Sequence, residues 1–138
     1  MEAQGAPGRD EKTLTFNTQN RVAQGALAGF LPYDVARRQL SGASGKPLIA
    51  YFHLRGSKPS EAQAELLRQD PQLPTVAESA LLAWIDVREN PQLAQQLGVM
   101  RAPTWVLYNT NGLEQGRASK ALTVADLRAG IDAARKRQ

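Results

Sequence analysis

Three runs of mainly apolar residues stand out along the chain, at 47–52, 81–87 and 104–109. Because these runs are continuous rather than alternating, they predict strands that are covered on both faces. A shorter alternating stretch at 13–17 predicts one further strand. Asn111-Gly112 predicts a hairpin turn that leads into an edge strand at 113–119.

Helical spacing of apolar positions, or a strong helix-forming composition, marks the segments between these runs. The predicted helices cover residues 33–40, 61–68, a short turn at 76–81, residues 92–97, and the stretch from 124 into the basic C-terminus. Ser60 is the predicted N-cap of the second helix and Thr123 that of the last. Gly98 is predicted to end the fourth, in the position that favours a left-handed residue.

The resulting order, β-α-β-α-β-α-β-β-α, predicts an α/β fold with a mixed sheet between helices. Residues 1–12 combine glycine, proline and charge, and are predicted to be a disordered tail. Residues 13–45 are assigned to an N-terminal strand and helix, and residues 46–138 to the main domain.

The charge balance argues against several function classes. Seventeen basic residues against thirteen acidic ones give a net charge of +4. The basic residues are scattered without interleaved aromatic residues, so nucleic-acid binding is not expected. No apolar run approaches the ~20 residues of a membrane span. The first twelve residues lack the apolar centre of a signal peptide, which leaves the compartment open.

The chain contains no cysteine and a single histidine, His53. This excludes disulfides, thiolate metal sites and thiol catalysis in the chain as written. A metal site built from several imidazoles is excluded as well, and no carboxylate spacing such as an EF-hand loop occurs. We therefore expect neither a metal nor a cofactor.

Residues 84–108 carry a specific series of landmarks. A strand ends in Asp86, Asn90-Pro91 opens a helix, Gly98 follows, and Pro103 precedes an apolar strand. This series closely resembles the second half of a thioredoxin-like domain, and the resemblance extends over about residues 46–135. It implies a thioredoxin-like fold, with a central mixed sheet flanked by helices and an N-terminal extension.

The same resemblance gives a meaning to Ser57-Lys58-Pro59-Ser60. That family reaches Cys-x-Pro-Cys at the head of a helix, five residues after a strand that ends in Phe, and here Phe52 is followed by the serines at that spacing. The resemblance implies that Ser57 is the position of the attacking sulfur, Ser60 that of the resolving sulfur, and Lys58 a thiolate stabiliser. Pro59 is the proline that the motif retains.

Two origins of the serine pair remain open. The chain is either a natural redox-silent member that uses the fold for binding, or a Cys-Lys-Pro-Cys protein in which both cysteines were replaced. Both place the chain in the thiol–disulfide oxidoreductase lineage; the alternative function is a naturally cysteine-free adaptor or chaperone-like module. Hydrolysis by Ser57 would need an adjacent base, and His53 is not expected to face it.

Pro103 is predicted to be cis, because the resemblance places a cis proline opposite the active-site turn. The backbone at Ala102 would then present an extended edge to a partner, with Arg101 and Thr104 beside it. The predicted partner is a protein or peptide segment, which in the active form of the protein would be a cysteine-containing redox partner.

The chain departs from the family pattern at three positions. Tyr51 stands where thioredoxins carry a buried Asp, as in many secreted or periplasmic relatives, which favours a periplasmic or secreted location. Gly56 replaces a Trp, and Lys120 stands where a Gly is usual.

Several side chains outside the motif also carry predictions. Four cations are predicted to surround the serine turn and to form an anion site with the helix N-terminus. They are Arg55, Lys58, Arg101 and Lys120. Trp84 and Trp105 are predicted core residues, and Met100 is a predicted contact at the rim of the site.

Overall fold

A computed structural model of the chain describes residues 26–40 and 45–136. The predicted tail at 1–12 and the predicted strand at 13–17 lie outside the described residues. Along the described chain the elements are β1 Phe30–Leu31, α1 Tyr33–Leu40, β2 Leu48–His53, α2 Lys58–Arg68, α3 Leu73–Ser79, β3 Leu81–Asp86, α4 Pro91–Gln96, β4 Thr104–Tyr108, β5 Glu114–Ala118 and α5 Val124–Lys136.

The strands form one five-stranded mixed sheet in the order β1-β3-β2-β4-β5. β3 pairs in parallel with both β1 and β2. β4 is antiparallel to β2 and to β5. The predicted mixed sheet is therefore confirmed. β1 was not predicted, because two residues are too few to show a periodicity.

Helices cover both faces of this sheet, which explains why β2 and β3 are apolar without alternation. Ile49 and Tyr51 face a cluster formed with α2, α3 and α5. Ala50 and Phe52, on the opposite face of β2, pack in a second cluster with α1 and α4. All six residues of β2 are buried, as are all six of β3.

The aromatic core lies mainly in the first of these clusters. Trp84 and Trp105 are both buried there, as predicted. Their rings lie against Tyr51, with centroid distances of 4.9 Å and 4.5 Å. Since offset and edge-on aromatic contacts add to the area that they bury, this trio fixes the centre of the sheet.

Three of the signals predicted for element ends are confirmed, at Gly98, at Asn111-Gly112 and at Thr123. Gly98 has a φ of 70° at the end of α4. Asn111-Gly112 forms the hairpin, where the Asn109 amide donates to the Leu113 carbonyl at 2.9 Å. Thr123 caps α5 as predicted, since its hydroxyl accepts from the Asp126 amide at 3.1 Å. The predicted turn at 76–81 is instead the longer helix α3.

Within residues 26–40 and 45–136, none of the helices combines the length and hydropathy that crossing a bilayer requires.

Candidate functional site

The strand register brings four loops to one end of the sheet. Phe52 pairs with Thr104, His53 with Asp86, and Trp105 with Ala118. β2, β3 and β5 therefore end where β4 begins. We call this end the loop edge; it consists of the loops 54–57, 87–90, 99–103 and 119–123. The serine turn and the Ala102–Pro103 peptide both belong to it.

The serine turn opens helix α2. Ser57 is the N-cap and has extended backbone angles, with φ −80° and ψ 129°, and Lys58 and Pro59 begin the helix. The Ser57 amide donates to the Leu54 carbonyl at 3.0 Å, which closes the loop. Its half-buried hydroxyl has no hydrogen-bond partner in the part of the chain that the structure describes.

Ser60 is not the N-cap of α2. The prediction that it caps a helix beginning at Glu61 is wrong, because α2 starts three residues earlier, with Ser57 as its N-cap. Ser60 is fully buried inside the first turn. Its hydroxyl accepts a hydrogen bond from the Leu54 amide at 3.1 Å, so it fastens the end of β2 to the helix.

The loop that precedes β4 carries the predicted binding residues. The Ala102–Pro103 peptide bond is cis. The Thr104 hydroxyl lies 2.7 Å from the Arg101 carbonyl and 3.0 Å from the Ser119 hydroxyl, which joins two loops of the loop edge. Neither the amide nor the carbonyl of Ala102 has a partner among the described residues. Most buried backbone polar groups in proteins are paired. The unpaired amide and carbonyl of the half-buried Ala102 are therefore a donor and an acceptor that a ligand can use.

Sequence reasoning missed a partly buried polar array beside the serine turn. The Tyr51 hydroxyl lies 2.8 Å from Nδ1 of His53 and 3.3 Å from the Ser60 carbonyl oxygen. On the other side of the ring, Nε2 of His53 lies 3.3 Å from Oε2 of Glu61. That oxygen also accepts from the Gly56 amide at 3.0 Å.

The array links the strand, the loop and the helix within eleven consecutive residues, 51–61. The alternation of β2 could have placed Tyr51 and His53 on one face. Nothing in the local pattern indicated that Glu61, in the first turn of α2, folds back over the loop to reach His53. Its carboxylate holds the Gly56 amide, and so fixes the loop that leads to Ser57.

In this array the pKa of the Glu61 carboxyl is lowered and the pKa of the Tyr51 hydroxyl is raised. Both shifts favour an ionised Glu61 beside a neutral Tyr51. The Gly56 amide, and after it His53, hold the pKa of the Glu61 carboxyl below its ordinary value. Burial, followed by the Glu61 charge, raises the pKa of the Tyr51 hydroxyl well above its ordinary value. Tyr51 is therefore a neutral phenol at neutral pH, while Glu61 is ionised.

This arrangement does not supply the parts of a serine hydrolase. Both ring nitrogens of His53 face Tyr51 and Glu61, and no hydrogen bond joins the ring to Ser57. A nucleophilic serine needs a base within hydrogen-bond reach. Among the described residues there is also no group of three or more His, Cys, Asp or Glu that could hold a metal ion.

The four predicted cations all lie on or beside the loop edge, but they differ in their surroundings. Arg55 pairs with Glu89 at 3.5 Å. Lys120 acts on Asp126, whose pKa is lowered mainly by hydrogen bonds at Thr123. Lys58 and Arg101 are exposed and form no ion pair within the described ranges. The anion site itself stays a prediction.

No protein-family model matches the sequence, and no curated protein matches it either. Similar folds are found among solved structures. The match to a thioredoxin from Thermus thermophilus has 22% identity and a TM-score of 0.61, over 74% of this chain and 82% of that one. Mitochondrial thioredoxin 3 from Saccharomyces cerevisiae matches with 22% identity and a TM-score of 0.56, over 72% and 87%.

A variant thioredoxin from Halobacterium salinarum has 26% identity and a TM-score of 0.54, over 66% of this chain and 76% of that one. The sheet order, the helices on both faces and these neighbours together show that the chain has a thioredoxin-like fold.

Proposed function

We propose that the chain is a redox-silent thioredoxin-fold domain that binds an extended protein segment along the backbone at Ala102. The observation that carries this proposal is the pair of open hydrogen-bonding groups of Ala102 on the loop edge. An extended segment can pair with such groups as an added strand does. This mode of recognition needs no sulfur.

The serine turn supports descent from thiol–disulfide oxidoreductases. Ser57 is half-buried at the head of a helix, whereas Ser60 is fully buried one turn inside. A helix N-terminus and a nearby cation such as Lys58 would lower the pKa of a thiol at position 57. The two positions would thus differ in access as an attacking and a resolving thiol must. A periplasmic or secreted location remains a prediction.

Binding at Ala102 can be tested with the protein as it is. A decapeptide with a central leucine, four glutamines and otherwise Ser and Gly is titrated into the ¹⁵N-labelled chain. We expect the amide signals of Met100, Arg101, Ala102 and Ser57 to shift. A peptide that is N-methylated on both sides of its leucine should lose these shifts, because it cannot pair with the backbone. Shifts confined to other surfaces, or none at millimolar peptide, would overturn the proposal.

The lineage is tested by restoring sulfur. The Ser57→Cys/Ser60→Cys variant should catalyse the reduction of insulin by dithiothreitol: the thiolate at 57 attacks the disulfide, and the thiol at 60 releases the substrate by closing a new disulfide. The Ser60→Cys single variant is the matched control, and we expect it to be inactive because that position is buried. A folded double variant no faster than this control would rule out the lineage.

The second candidate function is a naturally cysteine-free adaptor or chaperone-like module. The codons at positions 57 and 60 in the source gene separate the two: cysteine codons favour the first history and serine codons the second.

A further inference from the structure

On the loop edge and directly beside it, five cations of the described chain stand against four carboxylates. Each of these four carboxylates has a partner within the protein. Asp126, at the start of α5, accepts from the Thr123 amide at 2.9 Å. Glu89 pairs with Arg55, Glu61 holds the Gly56 amide, and the buried Asp86 accepts from the Arg88 amide at 2.9 Å.

Three exposed cations on this edge or directly beside it have no ion pair in the part of the chain that the structure describes. They are Lys58, Arg88 and Arg101. Lys120 lies in the neighbouring loop, which is tied to the Arg101 loop through the Thr104 and Ser119 hydroxyls. Of the four carboxylates, only Glu89 is neutralised by an arginine or lysine within the described residues, since a hydrogen bond from an amide leaves the charge of Glu61 in place. The positive excess at the surface of this edge comes from Lys58, Arg88 and Arg101, which face solvent, whereas Asp86 is buried.

One apolar side chain stands among these cations. Met100 is 90% exposed, against 63% for Leu113 at the far hairpin and 44% for Leu66 on the outer face of α2. Single exposed apolar residues are ordinary. Met100, however, lies two residues before the open backbone of Ala102, and methionine adapts to partners of varied shape.

We infer that the loop edge binds an acidic extended segment that carries an apolar residue, an inference that rests on the proposed function. The open groups of Ala102 pair with the backbone of the segment, and Met100 contacts its apolar side chain. Lys58 and Arg101 attract its carboxylates. Opposite charges of this kind raise the association rate and make the affinity sensitive to salt.

The test compares two fluorescein-labelled decapeptides that differ only in charge. Both have the central leucine; one carries four glutamates and the other four glutamines. We expect the acidic peptide to bind about tenfold more tightly at 50 mM salt, since each exposed charge pair strengthens binding by up to about fivefold. This advantage should shrink toward unity at 500 mM salt because of screening.

Matched variants locate the effect. Lys58→Gln/Arg101→Gln should weaken the acidic peptide about three- to tenfold and leave the glutamine peptide unchanged. Arg68→Gln/Arg128→Gln removes the same charge elsewhere and should change neither. Met100→Ser should weaken both peptides, whereas Leu113→Ser should not.

The outcomes separate the two proposals. If neither peptide shifts the signals at Met100 to Ala102, the proposed function fails. If both peptides bind there with equal affinity, or if the two double variants behave alike, only the inference of an acidic partner fails. Tighter binding of a twenty-residue oligothymidine than of the acidic peptide would assign the positive surface to nucleic acid and overturn the inference.

Discussion

At the scale of single residues, the two serines of the turn are physically different groups. The Ser57 hydroxyl makes no hydrogen bond within the described residues, and its side chain is half-buried. The Ser60 hydroxyl is buried and satisfies the amide of Leu54. The sequence repeats one residue type, but the structure uses only the second hydroxyl to hold the fold.

Replacing each serine by alanine tests this difference. Ser60→Ala leaves the Leu54 amide without its acceptor and should lower the free energy of unfolding by about 1–2 kcal/mol. Ser57→Ala, the matched control, should change it by less than about 0.5 kcal/mol, because no hydrogen bond is lost. Urea denaturation measures both. Equal losses for the two variants would contradict the assignment.

Gly56 offers a test of backbone conformation at the same turn. Its φ is +89°, and a Cβ added there would meet no atom within 4 Å. Gly56→Ala should therefore cost about 1–2 kcal/mol through the backbone alone, since L-residues disfavour this region. At Gly116 a Cβ also meets nothing within 4 Å, and its φ is not in the left-handed region.

Gly116→Ala is therefore the control for Gly56→Ala, and thermal or urea unfolding compares the two. We expect it to keep the parent stability within about 0.5 kcal/mol. A Gly56→Ala protein as stable as this control would show that the turn tolerates a side chain.

At the scale of elements, the first turn of α2 holds the loop before it through one carboxylate. Glu61 accepts from the Gly56 amide at 3.0 Å and lies 3.3 Å from His53 at the end of β2. A strand, a loop and a helix thus meet at a single side chain. Ser57 makes no side-chain cap hydrogen bond. The contact between Glu61 and the Gly56 amide therefore fixes the residue that directly precedes Ser57.

The Glu61 contact predicts a pH dependence with a definite sign. Because the folded pKa of Glu61 lies below its ordinary value, the contact stabilises the protein above the unfolded pKa, near 4.3. This contribution is lost as the pH falls through the folded pKa. An NMR titration should find the Glu61 carboxyl titrating below its ordinary value, with the Gly56 amide reporting the same midpoint. Titration at or above that value would contradict the contact.

At the scale of the whole molecule, the sheet separates two apolar clusters. Leu67 belongs to the one under α2, α3 and α5, and Val106 to the one under α1 and α4. Both side chains are fully buried. Because one layer of strands carries both clusters, we expect the two faces to unfold together in one transition.

Truncations on the two faces test this arrangement. Leu67→Ala should cost about 2–4 kcal/mol and Val106→Ala somewhat less. Their effects should add within about 0.5 kcal/mol, because the residues pack on opposite sides of the sheet. Circular dichroism and tryptophan fluorescence should follow one urea transition in every variant. Separate transitions would show that the faces unfold independently; the exposed neighbour Leu66→Ala is the control for helix propensity.

Much of the architecture follows from the sequence. The apolar runs located β2, β3 and β4, and Asn111-Gly112 located the hairpin, because continuous burial and turn conformation leave strong local patterns. The cap of α2 was misplaced from Ser57 to Ser60, since both are capping residue types and only the backbone angles distinguish them.

The candidate site was less accessible to sequence reasoning than the fold. The residue types at 57–60 and 101–104 indicated where to look. The array of Tyr51, His53 and Glu61 did not, because three of its four hydrogen-bonded distances join different elements through side-chain directions that no local pattern encodes. Local pattern also does not show which cations form ion pairs, because their partners lie on other loops.

The sequence by itself determined which segments form most of the strands and helices. It also showed that the chain has no thiol, and it indicated the turn at Ser57 as a candidate site. Each of these depends on residue type or on short-range periodicity. Only the tertiary structure decided the strand order and the meeting of four loops at one edge. The tertiary structure also determined that Arg55 is paired while Lys58 and Arg101 are not, and that the backbone groups of Ala102 have no partner among the described residues. These depend on contacts between residues distant in the chain, where partners are chosen by packing.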